Sequence, residues 1–345
     1  MDRAPTGRAA RVGQSGPAGR ARLGQSGLAV GPRGASQPEV AAGLVPRSPR
    51  QPLTRKQRRE LYLGLAFVSP WLLGFLVFTL YPVFASLYFS FTDYNVVSAP
   101  RWIGTRNYTD LFADPLFAKT LYNTLYLAVI GIPVSLTLSL IIAMLLNTKI
   151  RFQGVFRTLY FLPSVVPAVA AALLWRWFLN PDYGPVNEFL WQLGINGPGW
   201  FADPDWSKPA LVLAGLWGVG GSMVIYLAGL QNVPVTLYEA ADLDGANRWQ
   251  RLRYVTLPML SPVILFNLIM GIITSFQAFT NIYVITGGGP SNSTLVYALY
   301  LYQNAFQFFR MGFASAMAWI LMLITVAALA LIFRTSGWVY YEGRS

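Results

Sequence analysis

The hydrophobic positions of the chain fall into six long stretches separated by shorter polar segments. Each stretch has 18 or more residues, and a helix of that length crosses the roughly 30 Å hydrocarbon core of a bilayer. The pattern therefore predicts an all-α polytopic membrane protein with six transmembrane helices. The stretches comprise residues 61–91, 120–148, 158–175, 209–235, 259–287 and 311–333.

Composition and charge agree with this class and indicate an orientation. Hydrophobic residues make up 54% of the chain and charged residues only 12%, which is unusual for a soluble domain. With the N-terminus inside, 20 of the 26 Lys and Arg residues fall on cytoplasmic segments, as the positive-inside rule requires. We therefore predict that both termini and the segment between spans four and five are cytoplasmic. The net charge of +12 then reflects topology and contact with membrane lipid, with no nucleic-acid partner.

The sequence divides into three parts. Residues 1–60 are rich in Gly, Ala, Ser, Pro and Arg and lack the apolar core of a signal peptide, so we predict a disordered basic cytoplasmic tail. Residues 61–340 form the predicted six-span transmembrane domain, which includes a charged segment at 234–258. Residues 341–345 form a short cytoplasmic end.

Residue types that are missing from the chain exclude several kinds of chemistry. The chain has no Cys and no His, so we predict no catalysis, no metal site and no cofactor bound by this chain. No Lys follows a Gly, so the phosphate-binding loop of an ATPase is missing. The six apolar stretches contain no charged residue, which disfavours an ion-coupled carrier. That alternative stays open because backbone carbonyls can also bind Na⁺.

The charged segment 234–258 interrupts the apolar pattern between spans four and five. Thr236 and Glu239 have the spacing of a capping box, in which the hydroxyl and the carboxylate satisfy the first free amides of a helix. This spacing predicts a helix that begins near Leu237.

A glycine turn and a second short helix are predicted next. Gly245 allows a turn with positive φ, and Asn247 with Gln250 offers a second helix cap. This second helix is expected to end at Leu257-Pro258. A unit of this size cannot bury a core of its own. It is therefore either a docking element for a partner or an amphipathic connector on the membrane surface.

The same segment resembles the EAA motif of the membrane subunits of bacterial ABC importers. Glu-Ala-Ala, a glycine and Leu-Pro occur at the spacing of that motif, and the one departure is Val255 in place of Ile. The resemblance implies a coupling helix that docks on a separate ATPase, and ATP-Mg would be bound by that partner. The coupling residues that it implies are Glu239, Ala240, Ala241, Asp244, Gly245, Leu257 and Pro258.

Three further segments, at 69–95, 156–167 and 281–306, are similar to the carbohydrate-uptake branch, that is, to maltose- and glycerol-phosphate-type permeases. The chain is most similar to the first permease of such a pair. This resemblance implies a subunit of an ATP-driven sugar importer in a bacterial inner membrane. It further implies a second permease that completes a heterodimer, two copies of an ATP-binding subunit and an extracytoplasmic sugar-binding protein.

Neutral polar residues and glycines in spans four and five are the candidates for a solute pathway, because a charge-free bundle can contact a sugar only through neutral groups. Thr274, Gln277 and Asn281 have the spacing of one helical face. Interhelical hydrogen bonds and close helix packing are the alternatives, and the resemblance favours a pathway. The candidates are Gly218, Gly221, Ser222, Thr274, Ser275, Gln277 and Asn281. Gly220 lies beside the candidates of span four, and Asn267 belongs to the polar residues of span five.

The loop 180–208 lies on the predicted outer side, is rich in turn residues and carries four acidic residues. We interpret it as a contact surface for the binding protein, and a simple connector is the alternative.

Three other functions of the chain stay open at this point: an ABC importer permease for a non-sugar solute, an ion-coupled secondary carrier, and a scaffold or signalling protein.

Overall fold

The computed structural model describes residues 54–148 and 151–340 of the chain. The predicted tail up to residue 53 and the predicted end at 341–345 lie outside the described residues. The prediction extends the tail to residue 60, but helix α1 begins at Arg55. The helix starts early because Arg, Lys, Gln and Glu are good helix formers that lead directly into the first apolar stretch.

The described residues form a short unit that ends at Gly64 and a main unit that begins at Leu65. The described part of the chain contains sixteen α-helices and one small antiparallel pair of strands, together with short 3₁₀ and π segments. The helices are α1 Arg55–Phe75, α2 Tyr81–Ser90, α3 Arg106–Ala113, α4 Pro115–Tyr126, α5 Ile132–Leu146, α6 Gln153–Phe161, α7 Ala168–Phe178, α8 Pro185–Gln192, α9 Pro204–Leu216, α10 Gly220–Gln231, α11 Val235–Leu243, α12 Arg248–Arg251, α13 Leu257–Phe276, α14 Thr280–Ile285, α15 Tyr297–Tyr302 and α16 Met311–Thr335. The strands are β1 Thr92–Asp93 and β2 Arg101–Trp102.

Four helical stretches are long and apolar enough to cross a membrane, namely Arg58–Ser90, Pro115–Leu146, Arg248–Phe276 and Met311–Trp338. Two pairs of helices meet the same criterion only when they are taken together. These are Gln153–Val165 with Ala168–Phe178, bent by 98°, and Pro204–Leu216 with Gly220–Gln231, bent by 50°. The described residues therefore hold four candidate spans, or up to six if each bent pair is one span, as in a polytopic helical membrane protein.

The prediction of one helix over 158–175 is wrong, because the chain breaks between α6 and α7. A short 3₁₀ turn follows Phe161, and Val166 adopts an extended conformation with ψ 131°. Pro167 causes this conformation, since a proline ring clashes with a helical backbone at the residue before it. The third apolar stretch is consequently two short helices at a steep angle.

Three other helices continue through prolines by means of a π-helical turn. Proline is the second residue of α2, α5 and α13, and each of these helices follows directly on a five-residue π segment. In the last case the Leu257 N–H donates to the Leu252 carbonyl, five residues back. The wider turn shifts the hydrogen-bond ladder past the missing N–H of Pro258. The predicted helix end at Leu257-Pro258 is therefore wrong, and one continuous helix spans Arg248–Phe276.

Buried side chains hold the main unit together in three clusters. One lies where α10 packs against α5 and α13, around Met223, Tyr226 and Leu260, none of which is more than 1% exposed. The second joins α7, α9, α14, α15 and α16, and the third joins α13 to α16 and to the start of α5. These clusters fix α5, α9, α10 and α13 around the cavity described next.

Candidate functional site

A cavity of about 390 Å³ lies between the second, fourth and fifth candidate spans. Its walls come from α5 and the π turn before it, from α9 and α10, and from α13 and α14. No charged side chain of the described residues lines it. The polar side chains in its wall are Ser135, Ser222, Asn267, Thr274, Ser275 and Asn281.

Some of these polar groups are already used within the helices. The Thr274 hydroxyl is 2.9 Å from the Met270 carbonyl and 3.0 Å from the Gly271 carbonyl, and the Asn267 amide donates to Val263 O at 2.9 Å. Within the described part of the chain, Ser222, Ser275 and Asn281 make no side-chain hydrogen bond. The cavity therefore offers neutral donors and acceptors of the kind that can replace the hydration of solute hydroxyl groups.

The structure brings together four of the seven predicted pathway residues. Ser222, Thr274, Ser275 and Asn281 line the cavity, whereas Gly218, Gly221 and Gln277 do not. The prediction of one helical face through Thr274, Gln277 and Asn281 is wrong, because α13 ends at Phe276 and α14 begins only at Thr280. The chain turns over Gln277 and Ala278, so helical spacing does not apply across this break.

Sequence reasoning missed the contribution of the second span. Gly131 and Ser135 line the cavity from the region where the π turn passes into α5, and Gly271 lines it from α13. The only signal for these positions was a serine and two glycines within otherwise apolar stretches. Which faces of three separate spans meet is a tertiary property, and a nearly uniformly apolar helix carries little periodicity to reveal it.

The glycine patch of span four contains a close helix contact. A Cβ on Gly220 would lie 2.2 Å from the Tyr160 carbonyl oxygen and 2.8 Å from Phe161 Cα, whereas a Cβ on Gly221 would meet no atom within 4 Å. Gly220 therefore lets α10 approach the end of α6 closely, which is the packing alternative for this residue.

Segment 234–258 forms a helix, a glycine turn and the start of a second helix, as predicted up to that point. Gly245 has φ +74°. Its N–H donates to Asp242 O at 3.1 Å, and the Ala246 N–H donates to Ala241 O at 2.9 Å. These two bonds form a Schellman motif, which ends α11 and fixes the direction in which the chain leaves it.

Of the two predicted helix caps in this segment, only the second forms. Asn247 and Gln250 make a complete capping box, with bonds of 2.9 Å and 2.8 Å. The predicted Thr236–Glu239 box is wrong, because α11 begins at Val235 after Pro234 and Thr236 already lies inside the helix. A residue inside the first turn has helical backbone angles and cannot act as the N-cap.

Two side-chain contacts tie α11 to the helix that follows. The Arg251 Nη1 and Asp242 Oδ1 atoms are 2.5 Å apart, and the Tyr238 hydroxyl lies 3.0 Å from the Thr256 hydroxyl. Since Arg251 and Thr256 belong to the continuous helix Arg248–Phe276, a displacement of α11 would act directly on that helix. The same helix carries Asn267, Thr274 and Ser275 in the cavity wall.

The surface of this segment is apolar at several exposed positions that sequence reasoning did not select. Leu243 is 90% exposed, Trp249 66%, Val235 67% and Tyr254 71%. The predicted coupling residues Glu239, Asp244 and Gly245 are exposed as well. Exposed aromatic and aliphatic side chains beside charged ones are typical of a surface that a partner covers.

Hydrogen bonds also hold in position the segments between the spans at the helix ends opposite to segment 234–258. Asn123 donates to Asn292 O at 3.0 Å and to Leu295 O at 2.9 Å, which anchors the loop after the glycine cluster. The Tyr300 hydroxyl donates to Asp114. Burial and this bond raise the pKa of Tyr300, so it stays a neutral donor at physiological pH.

Loop 180–208 contains helix α8 and has an internal hydrogen-bond network. Asn187 donates to the carbonyls of Pro181 and Pro198, both at 3.2 Å, and Trp200 Nε1 donates to Asn187 Oδ1 at 2.6 Å. Trp191 is 69% exposed on this loop. The loop thus has a defined shape, as a contact surface requires, and its binding role stays a prediction.

Comparison with known proteins places this architecture in a family. The family model described as a binding-protein-dependent transport system inner membrane component matches residues 135–336. The chain is 42% identical over 297 residues to the probable ABC transporter permease protein YesP of Bacillus subtilis (strain 168), covering 84% of this chain and 96% of that protein. It is 39% identical over 277 residues to the lactose transport system permease protein LacF of Rhizobium radiobacter, covering 78% and 92%.

Two solved structures are also similar. One is a bacterial ABC transporter involved in the import of the acidic polysaccharide alginate, with a TM-score of 0.71, 25% identity and coverage of 81% of this chain and 97% of that chain. The other is a bacterial alginate ABC transporter in complex with an alginate pentasaccharide-bound periplasmic protein, with a TM-score of 0.69, 26% identity and coverage of 82% and 98%.

The chain belongs to the family of inner membrane components of binding-protein-dependent transport systems, the permeases of ABC transporters. It is therefore a component of membrane transport located in the inner membrane.

Proposed function

We propose that this chain is the permease subunit of an ATP-driven saccharide importer, which forms the pathway together with a second permease and couples to a separate ATPase through residues 239–258. The observation that carries this proposal is one helix. Arg248–Phe276 begins in the predicted coupling segment and ends in the cavity wall. A displacement of α11 can therefore be transmitted to the cavity wall through its side-chain contacts with this helix, without passing through a flexible loop.

The proposed topology has both termini and the coupling segment in the cytoplasm. The distribution of Lys and Arg supports this orientation. The exposed apolar residues Leu243 and Trp249 then face the compartment that contains ATP and the proposed ATPase. ATP-Mg would be bound by that partner, since the chain has no phosphate-binding loop.

A saccharide is the solute that the cavity supports best. Its wall carries neutral hydroxyl and amide groups and no charge among the described residues, which suits a ligand rich in hydroxyl groups. The names of similar proteins agree with this class, since one relative is a lactose permease and the similar structures import alginate.

The proposed assembly contains a heterodimeric partner permease, two copies of an ATP-binding subunit and an extracytoplasmic sugar-binding protein. The family description and the similar structure with a bound periplasmic protein support a binding protein. We place its contact on loop 180–208, whose internal hydrogen bonds give it a defined shape.

Purification of the tagged chain from its native membrane in mild detergent, followed by mass spectrometry, tests the assembly. We expect a soluble ATPase with a phosphate-binding loop and a second permease to copurify with the chain. Recovery of the chain alone in a form that still transports would contradict the proposal and would support a carrier energised in another way.

A paired substitution tests the cavity. Ser275→Leu places an apolar side chain in the wall beside Thr274, removes a hydroxyl group and fills space, so we expect saccharide uptake at a fixed low concentration to fall about tenfold or more. Gln277→Leu is the matched control, because Gln277 is exposed and lies outside the cavity wall. We expect its uptake to stay within about twofold of wild type. Equal losses in both variants would show that the cavity is not the pathway.

A further inference from the structure

Lys208 is a half-buried cation flanked by neutral groups at the start of the fourth span, and one of these groups, Tyr122, is 60% exposed. Its Nζ lies 5.0 Å from the ring centroid of Tyr122 and 5.2 Å from that of Tyr126. It also lies 3.4 Å from Asn123 Oδ1. Within residues 54–148 and 151–340, no carboxylate forms an ion pair with it. The charge of Lys208 is therefore stabilised by two ring faces and one amide, and it has no counter-ion among the described residues.

The position of Lys208 on α9 relates it to the cavity. Leu211, Val212 and Gly215 line the cavity and follow Lys208 at i+3, i+4 and i+7. These positions share one face of a helix, so Lys208 lies on the cavity-facing side about one turn, or 5.4 Å, from the first lining residue. Tyr126 directly precedes Leu127, which lines the same cavity from the second span. Lys208, Tyr122 and Tyr126 do not line the cavity themselves, and Lys208 lies about one helical turn beyond its described wall, which has no charge.

An unpaired cation at this position favours an anionic solute over a neutral one. In the proposed topology the N-terminal end of α9 faces outside, so a solute released by the binding protein meets Lys208 first. An ammonium group that aromatic rings shield partly from water attracts an anion more strongly than a fully hydrated one. The faces of Tyr122 and Tyr126 and the amide of Asn123 hold the ammonium in place.

We infer that Lys208, with Tyr122 and Tyr126, forms a subsite for the acid group of an anionic saccharide, such as a uronate, at the outer mouth of the cavity. This inference rests on the proposed function and narrows its substrate class. The ammonium would pair with the carboxylate, and the neutral cavity beyond it would receive the hydroxyl groups.

The test measures binding to the complete importer in detergent without its binding protein, so that only the permeases select the ligand. The probes are α-1,4-linked digalacturonate and α-1,4-linked galactobiose. Each ring carries a carboxylate in the first probe and a hydroxymethyl group in the second, and the two are otherwise identical. Titrations followed by ligand-observed NMR give the two affinities and their ratio. The variants are Lys208→Met, which removes the charge, and Lys208→Arg, which keeps it. Lys119→Met is the matched control, because Lys119 is exposed on α4 and its ammonium donates to Ser291 O at 3.0 Å.

We expect wild-type importer to prefer digalacturonate about tenfold or more, as an ion pair of roughly 1.4 kcal/mol would give. Lys208→Met should lose this preference, and Lys208→Arg and Lys119→Met should keep it. No preference in wild type, or equal loss of both affinities in Lys208→Met, would overturn the inference.

A lipid phosphate is the other anion that Lys208 could bind at a membrane interface. Repeating the titrations in bilayers with and without anionic lipid separates the two sources. If Lys208→Met changes only the response to anionic lipid and leaves the preference for digalacturonate intact, the subsite assignment is wrong. The importer for these titrations is the assembly recovered by copurification. Failure to recover an ATPase would defeat the proposed function. Absence of a preference for digalacturonate in a recovered wild-type importer would defeat only this inference.

Discussion

Replacing Gly245 with leucine is expected to reduce ATP-driven uptake to background while the chain stays in the membrane in normal amount. Gly245 has φ +74° in the Schellman turn that ends α11, and a leucine in the left-handed region costs about 1–2 kcal/mol. A Cβ at this position meets no atom within 4 Å, so the effect acts through the backbone and not through a clash. The relaxed turn would redirect α11 and separate the proposed docking surface from the helix Arg248–Phe276.

The matched control is Gly245→Asn, because asparagine tolerates positive φ better than other side chains. We expect this variant to keep a large part of the uptake. Uptake in proteoliposomes and ATP hydrolysis are measured together, and Gly245→Leu should hydrolyse ATP without stimulation by substrate. Wild-type uptake in Gly245→Leu would mean that the turn does not transmit the motion.

Gly220→Ala is expected to destabilise the protein strongly, whereas Gly221→Ala is expected to be close to neutral. The added Cβ of Gly220→Ala would lie 2.2 Å from a backbone oxygen of Tyr160, and a backbone atom cannot move aside as a flexible side chain can. Overpacking of this kind costs roughly 3 kcal/mol. At Gly221 the same methyl group meets no atom within 4 Å, and alanine is the better helix former.

Thermal unfolding in detergent, followed by size-exclusion of the soluble fraction, compares the two variants. We expect the midpoint of Gly220→Ala to fall by several degrees, or the variant to fail to accumulate, and Gly221→Ala to stay within about two degrees of wild type. Equal midpoints would show that α10 does not pack on α6 as described. A normal midpoint with lost uptake would instead favour a pathway role for the patch.

The sequence is informative where a local rule decides the structure. Apolar stretches of sufficient length predict helical spans, and Gly245 with Asn247 and Gln250 predicts a turn and a cap that the structure contains. These features depend on neighbours within a few residues, so the chain itself carries the information.

The features that sequence reasoning missed depend on hydrogen-bond register and tertiary contact. Pro167 breaks the third stretch, while Pro258 is accommodated by a π turn, although both follow apolar residues. Proline alone does not reveal which of the two outcomes occurs. The break at Gln277 and the contribution of Ser135 to the cavity likewise follow from how three spans meet.

The central claim, that α11 docks on a separate ATPase, is tested most directly by cross-linking from its exposed end. The chain has no cysteine, so Leu243→Cys provides one thiol at a position that is 90% exposed. A photoreactive maleimide on this thiol in the assembled importer should capture the ATP-binding subunit, and the yield should change with ATP. Tyr183→Cys, at a 68% exposed position in loop 180–208, should capture none of it. Capture of the ATPase from Tyr183→Cys and not from Leu243→Cys would contradict both the coupling assignment and the proposed orientation.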